Sequence, residues 1–444
     1  SRGMQVGGIA CPVGAHYLPL PGDDARAVQE LLEELGLRRR VAGRWQYDER
    51  ALCHSPQERL FIDGHWQDGL LPVQGVGAAT LAQYRRFADA VAAARRAAHY
   101  AIPVQKSTFA PVQFAQDAIT FEVWLDTQGL TDAHLRWYLD YCCRDDYGAG
   151  IASVSAWAGL HYFASRHGFA APGEGGDDDA GLLTWPEGNG WLSQRLAAPL
   201  GDRLRAGRVV GRIEHGRHGV SVDALDVASG RLERWQARQA IVALPAWVAA
   251  RVIESPPEAL RQRAARLRSA PWLLAQLQLR APLDDRPGAA PSWDNVLYGA
   301  PGLGYVDARH QSLAPVPGPT VLTYYRALDG EPGGRERLLQ TPWSAWRDTI
   351  VAELGAAHPD LGQKTARMEL VRHGHAMAIP APGTLQEISR LRTSIQRQKL
   401  SQSEHPTLIF DAAPRLAFAH ADWSGYSVFE EAFTLGHAAG AALS

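Results

Sequence analysis

Apolar and polar positions follow two periodicities along the chain, and one predicts helices while the other predicts strands. Apolar residues recur three and four positions apart in 23–37, 78–100 and 131–141, which predicts amphipathic helices. Alternation within 208–244 predicts strands, and Pro245 ends the last of them. Helices and strands are thus interleaved along the chain, which is typical of the α/β class.

The last part of the chain predicts a strand–turn–helix unit. An apolar run at 416–419 follows a first strand candidate at 407–410. A glycine-containing turn at 423–426 then leads into a small-residue helix at 429–442. Unpaired N–H groups and the dipole at the start of such a helix attract anionic oxygens, such as those of a phosphate. The alternative is an ordinary terminal helix packed over a strand.

Composition argues against three classes of protein: nucleic-acid-binding proteins, integral membrane proteins and disulfide-stabilised scaffolds. The 444 residues are 46% hydrophobic and 21% charged, which fits a globular chain of two or three domains at about 150 residues each. A net charge of -2 argues against nucleic-acid binding, because gripping phosphates requires a basic excess. The sequence has no apolar run of ~18 residues, so no integral membrane span is predicted. Four cysteines are too few for a disulfide scaffold, and adjacent Cys142 and Cys143 are predicted to be buried thiols.

Three segments resemble one enzyme family. LAFAHADWSGYSVFEEAFTLGHAAGAAL resembles the C-terminal FAD signature of the flavin amine oxidases, with Asp422 in place but His420 and Ala421 where the family has Ala-Gly. WPEGNGWLSQRLA is similar to the family's Pro-x-Gly-Gly element, with Gly190 matching and Asn189 interrupting the glycine pair. VVGRIEHGRHGVSV and QAIVALP are similar to a third block of the family. Together these segments relate most of the chain to flavin amine oxidases, polyamine oxidases and phytoene-desaturase-like enzymes.

This resemblance implies both a fold and a reaction. The fold is α/β, with a Rossmann-like FAD-binding domain built from discontinuous segments (1–25, 180–250 and 400–444) and interleaved with a mixed α+β substrate domain (26–179 and 251–399). The cofactor is FAD, and the reaction is hydride transfer from a substrate C–H bond to flavin N5. The partner is a small molecule, either an amine or a hydrophobic substrate, and the electron acceptor is undefined.

Positions that match family motifs are predicted to contact FAD. Backbone N–H groups and one carboxylate suit a polar, anionic cofactor. The predicted contacts are Arg2 at the phosphate–ribityl region, Gly14, Ala15, His16 and Tyr17 beside the isoalloxazine, Val210 at the adenine, Asp422 near the ribityl and pyrophosphate, and Gly425, Tyr426, Ser427, Val428 and Phe429 beneath the pyrimidine edge.

The predicted substrate side consists mainly of aromatic residues. Amine oxidases of the family flank the flavin with an aromatic pair, and aromatic walls bind cations and apolar groups alike. Tyr147 and Tyr324 are additional candidates, and the alternative is that such rings belong to the core. The predicted catalytic residues are Trp423, Tyr426, Tyr325 and His375.

Two further positions bear on the chemistry. His373 and His375 lie two residues apart, so a strand would present both on one face, but no third ligand is near and no metal is predicted. Many family oxidases carry a lysine, linked through water to flavin N5, on the strand after IVALP. Ala275 is the matching position here. This departure disfavours oxygen-using amine oxidation and leaves desaturation, dehydrogenation and isomerisation open.

The start of the sequence matches the family only from its second glycine motif onward. SRGMQVGGIACPVGAHYLPLP resembles the tail of that motif, so we expect the phosphate-binding G-x-G-x-x-G unit in a preceding segment. The alternative is a shortened, non-catalytic scaffold that kept the fold. Localisation is undetermined, because a twin-arginine leader would also precede this start, and cytoplasm and periplasm both fit.

Overall fold

A computed structural model describes residues 2–173, 181–313, 316–398, 408–409 and 415–443. Its strands are β1 Gly3–Val6, β2 Ile9–Pro12, β3 Tyr17–Pro19, β4 Arg38–Val41, β5 Arg44–Tyr47, β6 Glu58–Ile62, β7 His65–Asp68, β8 Leu182–Thr184, β9 Arg208–Gly216, β10 Gly219–Asp226, β11 Leu232–Ala237, β12 Ala240–Val242, β13 Ser269–Leu279, β14 Asp294–Leu297, β15 Tyr305–Asp307, β16 Thr320–Ala327, β17 Thr365–Ala378, β18 Leu408–Ile409 and β19 Leu416–Phe418.

Helices alternate with these strands along the chain. They are α1 Arg26–Glu34, α2 Ala78–Ala97, α3 Pro111–Asp117, α4 Phe121–Thr127, α5 Ala133–Tyr147, α6 Ala156–Ala164, α7 Gly190–Ala197, α8 Ala246–Val252, α9 Glu258–Arg266, α10 Gly334–Gln340, α11 Trp343–Gly355, α12 Leu361–Lys364, α13 Thr384–Gln398 and α14 Phe429–Leu443, with 3₁₀ turns at Val104–Lys106, Ala198–Arg203 and Ala421–Trp423.

A mixed sheet of seven strands is the largest sheet among the described residues. Its strand order is β17-β13-β16-β15-β14-β6-β7. The apolar runs of β13 and β16 are buried almost throughout, as continuous hydrophobic strands require. Side-chain alternation places Leu274 and Tyr325 in the core on one face, whereas Ala275 and Tyr324 belong to a second core on the opposite face.

A smaller sheet joins two distant segments of the chain. β12 and β19 pair in parallel, and β18 adds to β19 in antiparallel orientation. A parallel pair needs a long connection, and here residues 243–415 lie between the two paired segments 240–242 and 416–418. The α/β class and its assembly from discontinuous segments are therefore confirmed. Of the predicted strand at 407–410, Thr407 and Phe410 lie outside the described residues.

The predicted helices are confirmed with shifted ends. α5 continues past 141 to Tyr147 and ends at Gly148, whose φ of 69° is left-handed. Cys142 and Cys143 lie on α5 and are buried, free thiols. None of the helices in the described part of the chain has the length and apolar content needed to cross a bilayer.

Candidate active site

Residues 14–17 lead from the β2–β3 connection into β3, and the side chains of Thr184 and Asn189 fix this segment by donating hydrogen bonds to its carbonyl groups. The Thr184 hydroxyl donates to the His16 carbonyl at 2.9 Å. The Asn189 side-chain amide donates to the Tyr17 carbonyl at 2.8 Å. Asn189, which interrupts the family's glycine pair, therefore fixes the segment that the resemblance places beside the flavin ring.

The same segment has features that fit a polar cofactor. Gly14 has a φ of 122°, and a Cβ atom there would meet no atom within 4 Å. The N–H groups of Gly14, Ala15 and His16 have no acceptor among the described residues. Ala15 is exposed although its neighbours pack inward. Free donors beside open space suit the oxygen-rich edge of FAD, so this segment fits the cofactor.

The WPEGNG turn packs directly on the start of the chain. A Cβ atom at Gly190 would lie 2.4 Å from the Gly3 nitrogen, and one at Gly188 would lie 2.5 Å from the Ala15 carbonyl oxygen. Only glycine permits these approaches. Arg2 precedes this contact with an exposed side chain, and its charge contributes to lowering the pKa of His373.

An aromatic cluster surrounds His16. Its ring centroid lies 4.6 Å from that of Tyr325, 5.0 Å from Tyr17 and 5.3 Å from Trp293. Burial lowers the pKa of His16 to about 4, so its imidazole is neutral at physiological pH. The structure thus brings together three of the predicted residues (His16, Tyr17 and Tyr325) and adds Trp293, which the sequence alone did not mark.

Three carboxylates lie behind this cluster, and we call the space that they line the acidic chamber. Glu58 on β6 and Asp294 on β14 occupy directly paired positions of the sheet. Asp145 faces them from α5. Tyr17 donates to Asp145 at 3.5 Å, and Tyr141 donates to Asp294 at 3.5 Å. Phenol hydroxyls therefore reach into the acidic chamber from both sides.

None of the three carboxyl groups of the acidic chamber forms an ion pair with a described lysine or arginine, and the pKa of each is raised. Burial raises the pKa of Asp145 to about 7, with a further contribution from neighbouring Asp146, and burial also raises the pKa of Asp294 and of Glu58. Glu58 is nevertheless exposed, and Asp145 and Asp294 are half-buried. Solvent therefore reaches the acidic chamber at Glu58.

Tyr426 lies in a buried polar network of its own. Its hydroxyl donates to Asp146 and accepts a hydrogen bond from Arg166 at 2.6 Å. Arg166 also binds Asp146 through both of its terminal nitrogens, at 3.1 and 3.2 Å. The Tyr426 ring packs 5.4 Å from both Tyr147 and His161. Sequence reasoning missed Asp146 and Arg166, although a charged residue on the apolar face of a helix is a signal for such a pair.

The C-terminal turn is hydrogen-bonded to two helices, α8 and α9. Asp422 accepts a hydrogen bond from the Ala246 N–H at 2.8 Å, at the start of α8, and Arg263 donates to the Asp422 carbonyl at 2.7 Å. Trp423 packs edge-to-face on Phe418 at 5.5 Å, within the core of the small sheet. The structure does not bring Trp423 to the aromatic cluster, because the 3₁₀ turn directs its ring into that core.

The other predicted cofactor contacts are placed as follows. Gly425 has a φ of 70°, the Ser427 hydroxyl accepts from the Ala378 N–H at 2.8 Å, and Val428 packs against the core that contains Tyr426. Phe429 stacks on Phe433 at 5.6 Å. Val210 is half-buried on β9, the edge strand of its sheet.

His375 also lies away from the aromatic cluster. Its ring contacts Trp247 at 4.6 Å, and its Nδ1 lies 2.8 Å from the Ser269 hydroxyl. The residue is exposed on β17. Within the described ranges, no group of three His, Cys, Asp or Glu side chains is arranged to hold a metal ion.

The positions of Ala275 and Tyr324 correct two of the expectations. Both point to the sheet face opposite Tyr325, because neighbouring residues of a strand alternate in direction. Tyr324 instead donates to Glu353 at 3.2 Å and cannot complete an aromatic cage. On the face of Tyr325, β13 presents Gln276, which donates to the Pro12 carbonyl at 2.7 Å and accepts from Thr323 at 2.6 Å. The residue next to Ala275 on β13 is therefore a neutral amide, and its side chain lies on the same face of the sheet as Tyr325.

Comparison with known proteins adds the following relationships. Residues 4–439 match the family described as flavin containing amine oxidoreductase. Putrescine oxidase, in its wild-type complex with putrescine, has a TM-score of 0.70 at 15% identity, over 99% of this chain and 90% of that chain. Cyclohexylamine oxidase from Brevibacterium oxydans has a TM-score of 0.61 at 17% identity, over 96% and 86% of the two chains. At these identities the two structures show a common fold.

A curated relative matches over a shorter stretch. The L-amino acid dehydrogenase of Synechocystis sp. is 33% identical over 141 residues, which is 32% of this chain and 27% of that protein. The aligned part thus spans little more than a quarter of the relative's length.

Proposed function

Because the chain belongs to the flavin-containing amine oxidoreductase family and is an FAD-dependent oxidoreductase, we propose that it dehydrogenates an amine. The observation that carries the proposal is the aromatic cluster around His16, which is continuous with the acidic chamber. Aromatic faces and carboxylates both attract ammonium groups. The amine is thereby drawn to the segment that is predicted to lie beside the flavin.

The chain's own residues bind and orient the substrate. The rings of His16, Trp293 and Tyr325 confine the reacting carbon and exclude water from it. A neutral His16 adds no positive charge beside the amine, which helps the amine to enter with a free lone pair. FAD held beside residues 14–17 would supply the acceptor for the hydride that leaves the carbon bonded to nitrogen. The resulting iminium product hydrolyses in water.

The remaining predicted site residues take supporting roles in this proposal. Arg2, Gly14 and Ala15 line the cofactor side, and Asp422 and Ser427 hold the C-terminal turn in position through backbone N–H groups. Tyr426 is held by Asp146 and Arg166 at the base of the same turn. We place Tyr325 against the substrate and Trp423 in the core that supports the turn.

Two other substrate classes fit the acidic chamber less well. An L-amino acid carries an α-carboxylate, and a further negative charge is unfavourable beside acidic groups whose pKa values burial and mutual repulsion already raise. A hydrophobic substrate for desaturation or isomerisation would bury apolar surface against carboxylates that need polar partners. An amine without an α-carboxylate avoids both costs.

The test is anaerobic titration of the FAD-loaded protein with a panel of primary amines, an L-amino acid mixture and an unsaturated fatty acid. We expect the oxidised flavin band to bleach with amines only. Bleaching by dithionite but by no amine would contradict the proposal. Bleaching by amino acids at lower concentration than by amines would replace it with the dehydrogenation of amino acids.

A further inference from the structure

The strands β4 and β5 form a hairpin at the protein surface, which we call the basic hairpin (residues 38–47). Among the described residues, these two strands pair only with each other. Its base is anchored, because Arg38 is only 7% exposed and Tyr47 packs against a small core. Every residue from 39 to 46 is exposed, so side chains on both faces of the hairpin reach solvent.

The basic hairpin carries positive charge that the protein does not neutralise. The stretch 37–47, LRRRVAGRWQY, contains four arginines and no acidic residue, although the whole chain has a net charge of -2. Arg38 is paired with Glu33 at 2.9 Å, and Asp48, which follows the hairpin, is paired with Arg50. Three arginines of the hairpin form no ion pair with any described residue, namely Arg39, Arg40 and Arg44. Their uncompensated charge points to an anionic partner.

Apolar side chains lie directly opposite two of these arginines. The strand register pairs Arg40 with Trp45 on one face of the hairpin. It pairs Arg44 with Val41 on the other face, because neighbouring residues of a strand alternate in direction. Trp45 is 45% exposed and Val41 is 37% exposed. Each face of the hairpin therefore presents a cationic group and an apolar group side by side.

The turn at the end of the basic hairpin is also apolar. Ala42 and Gly43 have φ values of 47° and 82°, so both residues are left-handed, as a type I′ turn requires. Asparagine, aspartate and glycine favour this conformation, whereas alanine disfavours it. The tip thus carries a methyl group where a polar residue would suit the backbone better, and it offers no polar side chain of its own.

We propose that the basic hairpin docks the protein on an anionic lipid bilayer. Guanidinium groups bind phosphate oxygens through paired hydrogen bonds, and tryptophan prefers the interface between lipid headgroups and acyl chains. Attraction to anionic lipids and shallow insertion of apolar groups strengthen each other at a membrane surface. The hairpin supplies both kinds of group, and the proposal does not depend on the oxidation of an amine.

The shape of the basic hairpin favours a bilayer over a protein or a nucleic acid. Strands of four residues are only about 13 Å long, so the hairpin is a narrow, convex tip. A specific protein interface buries about 800 Å² on each partner, which is more than such a tip offers. A nucleic-acid base would compete for the ring of Trp45 with the Arg38 guanidinium, which lies 3.8 Å from the ring centre. A fluid bilayer can close around a convex tip.

The first experiment measures binding of the FAD-loaded protein to vesicles by flotation at increasing lipid concentration. Vesicles of phosphatidylcholine alone are compared with vesicles that also contain phosphatidylglycerol. We expect binding to the anionic vesicles only, and about tenfold weaker binding when the salt concentration rises from about 0.05 M to about 0.5 M. Equal binding to both kinds of vesicle, or binding to neither, would overturn the proposal.

The second experiment assigns the binding to the hairpin by matched changes of charge. One variant combines three substitutions in the hairpin: Arg39→Gln, Arg40→Gln and Arg44→Gln. We expect its affinity for anionic vesicles to fall about a hundredfold, from about fivefold for each arginine. The control variant removes the same charge from exposed positions of α2: Arg85→Gln, Arg95→Gln and Arg96→Gln. We expect the control to change the affinity less than about twofold, and equal losses in the two variants would contradict the proposal.

The third experiment tests insertion of the aromatic side chain. Trp45→Ala should weaken binding to anionic vesicles about tenfold, whereas Trp235→Ala, at an equally exposed tryptophan of β11, should not. Lipids brominated on their acyl chains should quench the fluorescence of wild type more than that of Trp45→Phe. Equal quenching of the two proteins would show that this ring stays outside the bilayer and would overturn the proposal.

Two competitors separate the bilayer from other anionic ligands. Displacement of the protein from vesicles by glycerophosphate would show that a free phosphate group suffices, and displacement by duplex DNA at a lower phosphate concentration would replace the bilayer with a nucleic acid. We expect neither. Flavin content and near-ultraviolet circular dichroism establish that each variant is folded. If a tryptophan variant does not fold, the arginine variants, whose substituted side chains are exposed, decide the proposal.

Discussion

At the scale of single residues, Tyr426 shows how one hydroxyl serves a buried charge pair. It lies between Asp146 and Arg166, which also bind each other directly. Tyr426→Phe removes the hydroxyl but keeps the pair, so we expect the free energy of unfolding to fall by about 1–2 kcal/mol. Urea unfolding at constant pH measures the change.

Asp146→Asn removes the negative charge from the same network. It leaves the Arg166 guanidinium, with a side chain only 14% exposed, without a counter-ion, so we expect a loss of about 3 kcal/mol or more. The matched control is Glu30→Gln, which breaks an exposed pair with Arg26 and should cost less than about 0.5 kcal/mol. A cost for Asp146→Asn no larger than that of the control would contradict the view that this pair is structurally important.

The sequence predicted residues that belong to motifs and missed those that depend on register. His16 and Tyr426 were predicted because family motifs carry them. Glu58 and Asp294 were missed because they become neighbours only when β6 and β14 pair, and no local pattern records that pairing. Strand alternation alone would have shown that Tyr324 and Tyr325 cannot face one pocket, but not which of the two faces it.

At the scale of elements, the WPEGNG turn is locked against the start of the chain. Gly190→Ala would place a methyl group 2.4 Å from the Gly3 nitrogen and 2.7 Å from the Arg2 carbonyl carbon, and backbone on both sides leaves no flexible atom to yield. We expect a loss of about 1–3 kcal/mol in the free energy of unfolding, together with weaker flavin retention, because β1 and residues 14–17 shift. Urea unfolding and the flavin-to-protein absorbance ratio measure the two effects.

The control for that change is the same substitution inside α14. A Cβ atom at Gly436 meets nothing within 4 Å, and alanine is the better helix former, so Gly436→Ala should stabilise by about 0.5–1 kcal/mol. Similar effects of the two substitutions would show that close packing at Gly190 is unimportant. The open space at Gly436 also shows that this glycine does not bring α14 close to another described element.

Element type was predictable here, whereas element order in the sheets was not. The spacing of apolar residues predicted α2 and β10, because the periodicity of an amphipathic helix and the alternation of a strand are local properties. The seven-stranded order was beyond local reasoning, because it joins β14 to β6 in parallel across more than half of the chain. The predicted domain boundaries stay predictions.

At the scale of the whole molecule, the family and its FAD cofactor were predicted from three motifs and are confirmed by a match that spans residues 4–439. This match places the chain among enzymes, against the alternative of a non-catalytic scaffold. The substrate was not predictable in the same way. In the proposed function, the acidic chamber recognises the substrate, and its three side chains come from β6, α5 and β14, which lie far apart in the sequence.

Buried ionisable groups also give the whole molecule a characteristic pH dependence. Burial raises the pKa of Glu431 from its ordinary 4.5 to about 8, so between these values the folded protein holds a proton that the unfolded chain has lost. Its contribution to stability is present below pH 4.5 and is lost as the pH rises through 8. Burial lowers the pKa of His16 and His161 from 6.5 to about 4, and those groups act in the opposite direction between pH 4 and 6.5.

Above pH 6.5 the histidines no longer contribute, and the buried acids alone set the slope. We therefore expect the free energy of unfolding to decrease between pH 6.5 and 8, by about 1.4 kcal/mol per pH unit for Glu431. Glu431→Gln keeps an oxygen that accepts the Val104 N–H and cannot ionise, so it should flatten this slope, whereas Glu30→Gln on the surface should not. Urea unfolding of the three proteins at half-unit steps of pH provides the measurement. Parallel curves for wild type and Glu431→Gln would show that this buried glutamate is ionised at neutral pH and that the decline has another origin.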